Sequence, residues 1–334
     1  MSAVPTPPAR RLLAVIILVP TVVAVALWAF AWPASRTAPR DLPLGVAGSP
    51  AATAPLERQL AAHEGAFEVH RYADEAAARK AIEDRSVYGA VVVTPTGPEV
   101  LTATAASPLV AQLLQQTVAA QAPEGTPVVT KDVVPTPAAD PRGAVLNASV
   151  LPMAIAGVAA GAIVTMLGLR GLRALAALVT AAALVGVVAT ALTHSWLGAL
   201  TGNWWAEAGA LSLSTLAVSA AIAGLASLLG TAGIGIGSMV VVLLGNPFSG
   251  ATSAPQLLPE PAGAIGQWLP PGAGASLVRS VAYFDGARAA APALILALWA
   301  VLGLAAVLLG ARRNRRGEPD GTPAPARHQA ASVA

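Results

Sequence analysis

Six apolar stretches without a charged residue decide what this chain of 334 residues can fold into. They cover residues 12–32, 149–169, 174–193, 210–230, 231–245 and 291–311. Most run to about 20 residues, which at about 1.5 Å per helical residue matches a hydrocarbon core of about 30 Å. A central Arg, Lys or Asp would cost about 2.5–3.5 kcal/mol on insertion, so its absence from all six is informative. The sequence predicts an α-helical polytopic membrane protein with six transmembrane helices.

The basic residues that flank these spans predict the orientation. They are Arg10 and Arg11 before the first span, Arg170 and Arg173 between the second and third, and Arg312, Arg313, Arg315 and Arg316 after the sixth. All of them fall on one side of a six-span threading, which the positive-inside rule assigns to the cytoplasm. We therefore expect a multi-pass plasma-membrane protein with both termini inside, residues 1–11 as a short tail and residues 312–334 as a basic, disordered tail. Residues 231–245 are the shortest span. Their connection to the fourth span carries no charge, so we place this connection inside only because successive spans must alternate in direction.

A long segment, residues 33–148, separates the first two spans and predicts an extracytoplasmic α/β domain with Pro-rich linkers. Strand patterns at 42–48, 66–72, 88–93, 98–105 and 127–134 alternate with helix patterns at 53–64, 74–85 and 108–121. This alternation is typical of a small sheet with helices packed on it. Asp74 precedes an Ala-rich run and is a candidate N-cap. The first span could instead be a cleaved signal peptide, but its length favours an uncleaved anchor.

Catalytic and metal-binding patterns are missing from the sequence. The chain has no cysteine, and its four histidines are scattered without ligand spacing. Gly233, Gly235 and Gly237 lack the lysine that a phosphate-binding Walker loop needs. We therefore expect no enzyme activity, no cofactor and no metal. The formal net charge of +3 is better explained by contact with the lipid bilayer than by nucleic acid.

Small and aromatic residues in the spans have structural explanations. Gly157 with Gly161, and Gly233 with Gly237, follow a spacing that lets transmembrane helices approach closely. Alternatively, these glycines are incidental, because the chain is rich in glycine throughout. Trp196, Trp204 and Trp205 are expected to form an aromatic belt at the outer leaflet, with substrate stacking as the alternative.

The outer loop, residues 246–290, is the most distinctive segment. Pro and Gly interrupt short apolar runs and charges are few, which fits half-helices that re-enter the membrane where broken backbone is buried in protein. The alternative is a rigid plug over the bundle. The candidate outer gate or substrate path comprises Asn246, Pro247, Ser249, Gly250, Pro270, Pro271, Gly272 and Arg279.

The sequences "NPFSGATSAPQLLPE" and "LPPGAGASLVRSVAYFDG", followed by a last span with a basic cluster, resemble the C-terminal half of type-2 ABC transporter permeases, in particular the YhgE/Pip (phage infection protein) branch. "EAAARKAIEDRSVYGAVVV" resembles the outer domain of that branch. The resemblance implies a permease subunit that pairs as a homo- or heterodimer and exports a hydrophobic or amphipathic substrate with a separate ATP-binding-cassette ATPase. It also implies an ATPase-coupling loop, for which Arg170, Gly171 and Arg173 are the candidates. That connection and the N-terminal tail are both shorter than the family pattern.

Two other functions stay open at the level of sequence. One is a non-transporting membrane-anchored protein whose extracytoplasmic domain binds a cell-envelope partner. The other is a proton- or ion-coupled transporter. This function is disfavoured because no span carries an ionisable residue deep inside.

Overall fold

The computed structural model describes residues 8–95, 97–121 and 128–316. In chain order its helices and strands are α1 (Pro8–Ser35), β1 (Leu42–Ala47), α2 (Pro50–Ala61), β2 (Phe67–Tyr72), α3 (Glu75–Glu83), β3 (Gly89–Thr94), β4 (Gly97–Thr102), α4 (Pro108–Gln121), β5 (Val129–Asp132), α5 (Ala144–Met166), α6 (Gly171–Thr190), α7 (Trp204–Leu229), α8 (Thr231–Ser238), α9 (Ala262–Trp268), α10 (Pro270–Tyr283) and α11 (Ala290–Arg316). Helices α6 and α8 continue as π-helical turns over Ala191–Trp196 and Met239–Gly245.

Five of the described helices are long and apolar enough to cross a membrane, namely α1, α5, α6 with its π-helical end, α7 and α11. The chain is thus a polytopic helical protein, as predicted. The predicted fifth span, Thr231–Gly245, is a shorter apolar helix, so the count of six stays a prediction. The predicted fourth span begins earlier than expected, because Trp204 and Trp205 belong to the first turn of α7. Of the predicted tails, 1–11 and 312–334, residues 8–11 belong to α1 and residues 312–316 to the end of α11, whereas 1–7 and 317–334 lie outside the described residues.

Helix α7 is the centre of the bundle, and glycines bring its neighbours close to it. A Cβ atom added to Gly157 of α5 would lie 2.6 Å from the Cβ of Val218. One added to Gly303 of α11 would lie 2.3 Å from the main-chain carbon of Ala220. Such distances leave no room for a side chain. Gly161, Gly233 and Gly237 approach α7 in the same way, which confirms both predicted glycine packing surfaces.

The segment between α1 and α5 contains a five-stranded sheet in the order β2-β1-β3-β4-β5, as the alternating sequence patterns predict. Neighbouring strands are parallel except for β3 and β4, which are antiparallel and joined by a short turn. Asp74 caps α3 as predicted, because its Oδ1 accepts a hydrogen bond of 2.8 Å from the backbone N–H of Ala77.

Both faces of this sheet are completed by the outer loop. One face packs under α2 and α4, and its core includes Leu44, Val100 and Val110 together with Leu257 of the outer loop. The opposite face packs under α3, and there Ile82 and Leu101 share a core with Phe284. We call the sheet with α2, α3 and α4 the outer domain; this domain and the outer loop therefore form one packed unit.

Candidate functional site

Helix α10 is the longest helix of the outer loop and lies against the first half of α7. A Cβ atom added to Gly202, just before α7, would fall 2.0 Å from the carbonyl oxygen of Val281. One added to Gly274 would lie 2.9 Å from Ser214 Oγ. The 14 residues of α10 correspond to about 21 Å, which is shorter than a hydrocarbon core. The helix therefore covers only part of α7.

The first candidate gate residues form a tight turn that contacts α10, with Asn246 and Pro247 half-buried and Ser249 and Gly250 buried. The carbonyl oxygen of Asn246 accepts a 2.7 Å hydrogen bond from Ser249 Oγ, and Pro247 opens the 3-10 turn between them. Gly250 has φ 65°, a conformation that favours glycine. Arg279 reaches this turn because its Nη2 donates to the carbonyl oxygen of Ala251 at 2.8 Å. The structure thus brings Ser249, Gly250 and Arg279 together.

The other candidate gate residues start α10 and lie close to the same turn, because a Cβ atom added to Gly245 would fall 2.8 Å from Pro271. Pro270, Pro271 and Gly272 form its buried first turn. A Cβ atom added to Gly272 would lie 2.2 Å from the carbonyl oxygen of Gly266. The break in "LPPGAG" is therefore closely packed against α9, and any side chain at Gly272 would displace main-chain atoms.

An apolar crevice lies beside this turn, between α5, α7 and α10. Its lining comprises Leu146, Ser149, Val150, Met153, Ala154, Leu211, Ser214, Val218, Pro270, Pro271, Gly274, Ala275 and Val278. The crevice has a volume of about 40 Å³, enough for very few water molecules. An amphipathic substrate could pass here only if α10 moved away from α5 and α7.

A larger cavity, of about 270 Å³, lies where the outer domain meets the outer loop. Arg85, Arg279 and Arg288 all line it, and we call it the arginine cavity. Arg85 Nη1 donates to the carbonyl oxygen of Ser276 at 3.1 Å and to Ser280 Oγ. Its guanidinium carbon also lies 5.3 Å from the ring centre of Phe284, within range of a cation–π interaction.

The electrostatics of the arginine cavity are dominated by positive charge. Burial, followed by repulsion from Arg279, lowers the pKa of Arg85 to about 10, so the group remains charged at neutral pH. Burial likewise lowers the pKa of Arg279 and raises the pKa of Tyr88. No carboxylate lines the cavity among the residues that the structure describes. Its charge is therefore uncompensated by the described part of the chain.

Hydrogen bonds also join the outer loop to the segment that follows α1. The backbone N–H of Ala38 donates to the carbonyl oxygen of Leu257 at 3.1 Å, and that of Arg40 donates to Gln256 at 2.9 Å. The hydroxyl of Tyr88 donates to Gln256 Oε1 at 2.9 Å. One side of the arginine cavity is thus fixed by main-chain as well as side-chain contacts.

The candidate coupling loop is at the other end of the bundle. Gly171 has φ 57° and starts α6, and Arg170 and Arg173 are exposed. Neither arginine forms a hydrogen bond or ion pair with another described side chain. Arg170 lines a second cavity, of about 340 Å³, together with Ser227 and Gly310. The structure therefore separates the coupling candidates from the gate candidates by the length of the bundle.

Sequence reasoning missed two features near the outer end. The first is the pair Arg85 and Arg288, which were not candidates because a single arginine beside or near an aspartate gives little signal by itself. The second is a buried contact, in which His194 Nδ1 lies 2.9 Å from Glu207 Oε2 and Glu207 Oε1 accepts from the backbone N–H of Gly202 at 2.8 Å. Glu207 follows the N-cap of α7 and is fully buried. Glu207 was missed because it lies in a Trp-rich turn that the sequence places outside the predicted spans.

The tryptophans near this contact are arranged on the surface of the bundle. Trp196 and Trp205 are largely exposed. Trp204 stacks edge-on against Trp205 at 4.7 Å and donates from Nε1 to Ser195 Oγ at 3.2 Å. This arrangement suits contact with lipid headgroups, and the aromatic belt stays a prediction.

Comparison with known proteins gives no match. No protein-family model matches the chain, and neither the search of curated proteins nor the search of solved structures finds a similar protein.

Proposed function

We propose that this protein is a membrane permease subunit of the type-2 ABC exporter kind, which moves a hydrophobic or amphipathic substrate outward with a separate ATPase. The observation that carries the proposal is α10, a short helix with a buried Pro-Pro-Gly start that lies beside an apolar crevice. Discontinuous helices of this sort are tolerated at membrane depth where they are buried in protein, and transporters use them around substrate paths.

A topology with six crossings is part of the proposal. The C-terminal ends of α7 and α11 lie together, because Ser227 Oγ donates to the carbonyl oxygen of Ala306 at 2.9 Å. From that end the chain turns at Gly230, and by Gln256 it contacts Arg40 of the outer domain. These contacts support a path of residues 231–255 between the two ends of the bundle, with a short helical part. The basic residues at the α5–α6 turn favour a cytoplasmic position for that end.

The same geometry suggests how transport would be gated. The apolar crevice is too small for an amphiphile, so an open path requires α10 to separate from α5 and α7. Arg170 and Arg173 are exposed at the opposite end and are available to an ATPase. Motion received there would reach α10 through α7, which contacts both α5 and α10.

The alternative function, a membrane-anchored binding protein, is favoured by a different observation. The outer domain packs on the outer loop around the arginine cavity, and this arrangement could recognise an anionic envelope component without any transport. The two functions differ in whether α10 must move.

Gly274→Ala tests the transport function at the α10–α7 contact. The added Cβ would lie 2.9 Å from the end of the Ser214 side chain, which can rotate, so the protein should fold while the α10–α7 contact changes. We expect normal insertion and a severalfold loss of ATP-dependent efflux of an amphipathic dye. Gly209→Ala on α7 is the matched control, because nothing lies within 4 Å of its added Cβ. Gly272 is unsuitable for this test, since a side chain there would clash with main-chain atoms.

Charge reversal at the coupling loop tests the ATPase side. Arg170→Glu with Arg173→Glu should abolish efflux, whereas Arg170→Lys with Arg173→Lys should retain it if charge is what the partner requires. Labelling of a Glu64→Cys variant by an impermeant maleimide in intact cells checks that the topology is preserved. The permease function would be wrong if no ATPase co-purified and deletion of the gene changed the accumulation of no compound.

A further inference from the structure

The arginine cavity contains hydrogen-bond donors that the described protein does not use. A guanidinium group offers five N–H donors, yet Arg279 donates to Ala251 alone among the described residues. Its side chain is nevertheless buried, with 5% of the residue exposed. Arg288, which is exposed, donates to Ser86 Oγ at 3.2 Å and to no other described residue. Buried cations are normally paired, so the unused donors of Arg279 indicate a ligand that carries negative charge.

The charges around these donors support the same conclusion. The charged groups that act on Arg85 are Arg279 and Arg288, both of which lower its pKa. Holding three guanidinium groups around one cavity without a counter-ion is costly, and an anion in the cavity would remove that cost. Arginine forks match the oxygens of phosphate and carboxylate. The volume of about 270 Å³ leaves room for a phosphate group with several water molecules.

The position of the cavity indicates where the anion comes from. Ala291, Pro292 and Ile295, from the first turns of α11, form part of its wall. Helix α11 is one of the candidate spans, so the cavity lies at the level where a span leaves the membrane. The positive end of the α11 dipole also favours an anion there. Apolar atoms of Ile295 and Ile82 could contact the glycerol or acyl part of an amphiphile.

We propose that the arginine cavity binds the phosphate group of an anionic amphiphile at the outer membrane surface, through Arg279, Arg85 and Arg288. This site does not depend on transport, because a lipid held here would also tie the outer domain to the bilayer. Arg85 contributes from the outer domain, whereas Arg279 and Arg288 come from the outer loop. An occupied cavity would therefore strengthen the junction between the two.

The test measures binding to the full-length protein in a neutral maltoside detergent by microscale thermophoresis. The probes are dihexanoyl phosphatidic acid, inorganic phosphate and the phosphate-free dihexanoyl glycerol. We expect the phosphatidic acid to bind more tightly than inorganic phosphate, and dihexanoyl glycerol to bind weakly. Arg279→Gln should reduce affinity for both phosphate probes about tenfold or more, because hydrogen bonds to charged groups are strong.

Arg288→Gln keeps the test valid if Arg279→Gln fails to fold, because Arg288 is exposed. It should reduce affinity roughly two- to fivefold. Arg58→Gln is the matched control, since Arg58 is an exposed arginine of α2 that does not line the cavity and, among the described residues, donates to a backbone carbonyl alone. Wild-type affinity in both cavity variants would overturn the site. Equal affinity for phosphatidic acid and inorganic phosphate would overturn the assignment to an amphiphile.

Discussion

The outer domain and the membrane bundle are held together by different means. The domain buries large side chains such as Leu42, Leu44, Ile82 and Leu101 between its sheet and helices. The bundle instead brings backbones into contact through Gly161 and Gly303, around a central helix rich in alanine. In water, removal of apolar surface drives packing, whereas lipid offers no such driving force and close approach matters more. The outer domain should therefore be most sensitive to truncation of large buried side chains, and the bundle to enlargement of its glycines.

Truncation of Phe284 should have the largest effect. Phe284 belongs to the outer loop but is buried in the core under α3, and it also contacts Arg85. Phe284→Ala should destabilise the outer domain by about 3–5 kcal/mol while leaving the bundle folded. Hydrogen exchange should become faster in β3 and β4 but not in α7. Phe30→Ala, at an exposed position of α1, is the control, and protection equal to wild type in the Phe284 variant would contradict the shared core.

Enlargement of Gly303 should have the next largest effect and should act on the bundle alone. A Cβ there would lie 2.3 Å from main-chain carbon of α7, so the backbones must separate. Gly303→Ala should lower the stability of the detergent-solubilised protein by about 1–3 kcal/mol, seen as a lower midpoint of thermal unfolding. Gly209→Ala, which has open space at its Cβ, should be neutral or slightly stabilising. A reversed order of these two variants would refute the close packing of α11 on α7.

Removal of the α3 cap should have the smallest effect. Asp74→Ala leaves the N–H of Ala77 without its 2.8 Å partner and should cost about 1 kcal/mol. Asp74→Asn should retain most of the stability, because its side-chain oxygen can still accept. Hydrogen exchange of α3 amides would measure both, and equal protection in all three proteins would show that tertiary packing alone holds this helix start.

The regular elements were predictable from sequence because each is encoded locally. Strand alternation placed β1, β3 and β4, and a single residue, Asp74, marked the start of α3. The long helices were predicted from the length of their apolar stretches and the lack of charged residues in them. The fifth span was the weakest prediction, and Thr231–Gly245 is indeed the shortest of the apolar helices concerned.

The arginine cavity was not predictable because its members are distant in the chain. Arg85 and Arg279 are separated by almost 200 residues, and only folding of the outer loop over the sheet brings them to one cavity. Asn246, Pro247, Ser249 and Gly250 were recognisable as an interrupted segment, but the sequence did not indicate that this turn contacts Arg279. Pairing of this kind depends on tertiary packing, which neither periodicity nor local charge reports.

The sharing of a core between the outer domain and Phe284 has a consequence for biosynthesis. Phe284 lies 150 residues beyond Val134, the last residue of the sheet region in that core. At roughly 5–20 residues per second, the ribosome needs about 8–30 s to reach it. Throughout that interval the core under α3 lacks Phe284, although Tyr72 and Tyr88 are already present. Until Phe284 is made the domain is incomplete and exposed to proteases and chaperones, so its completion requires that α5 to α10 have already been synthesised.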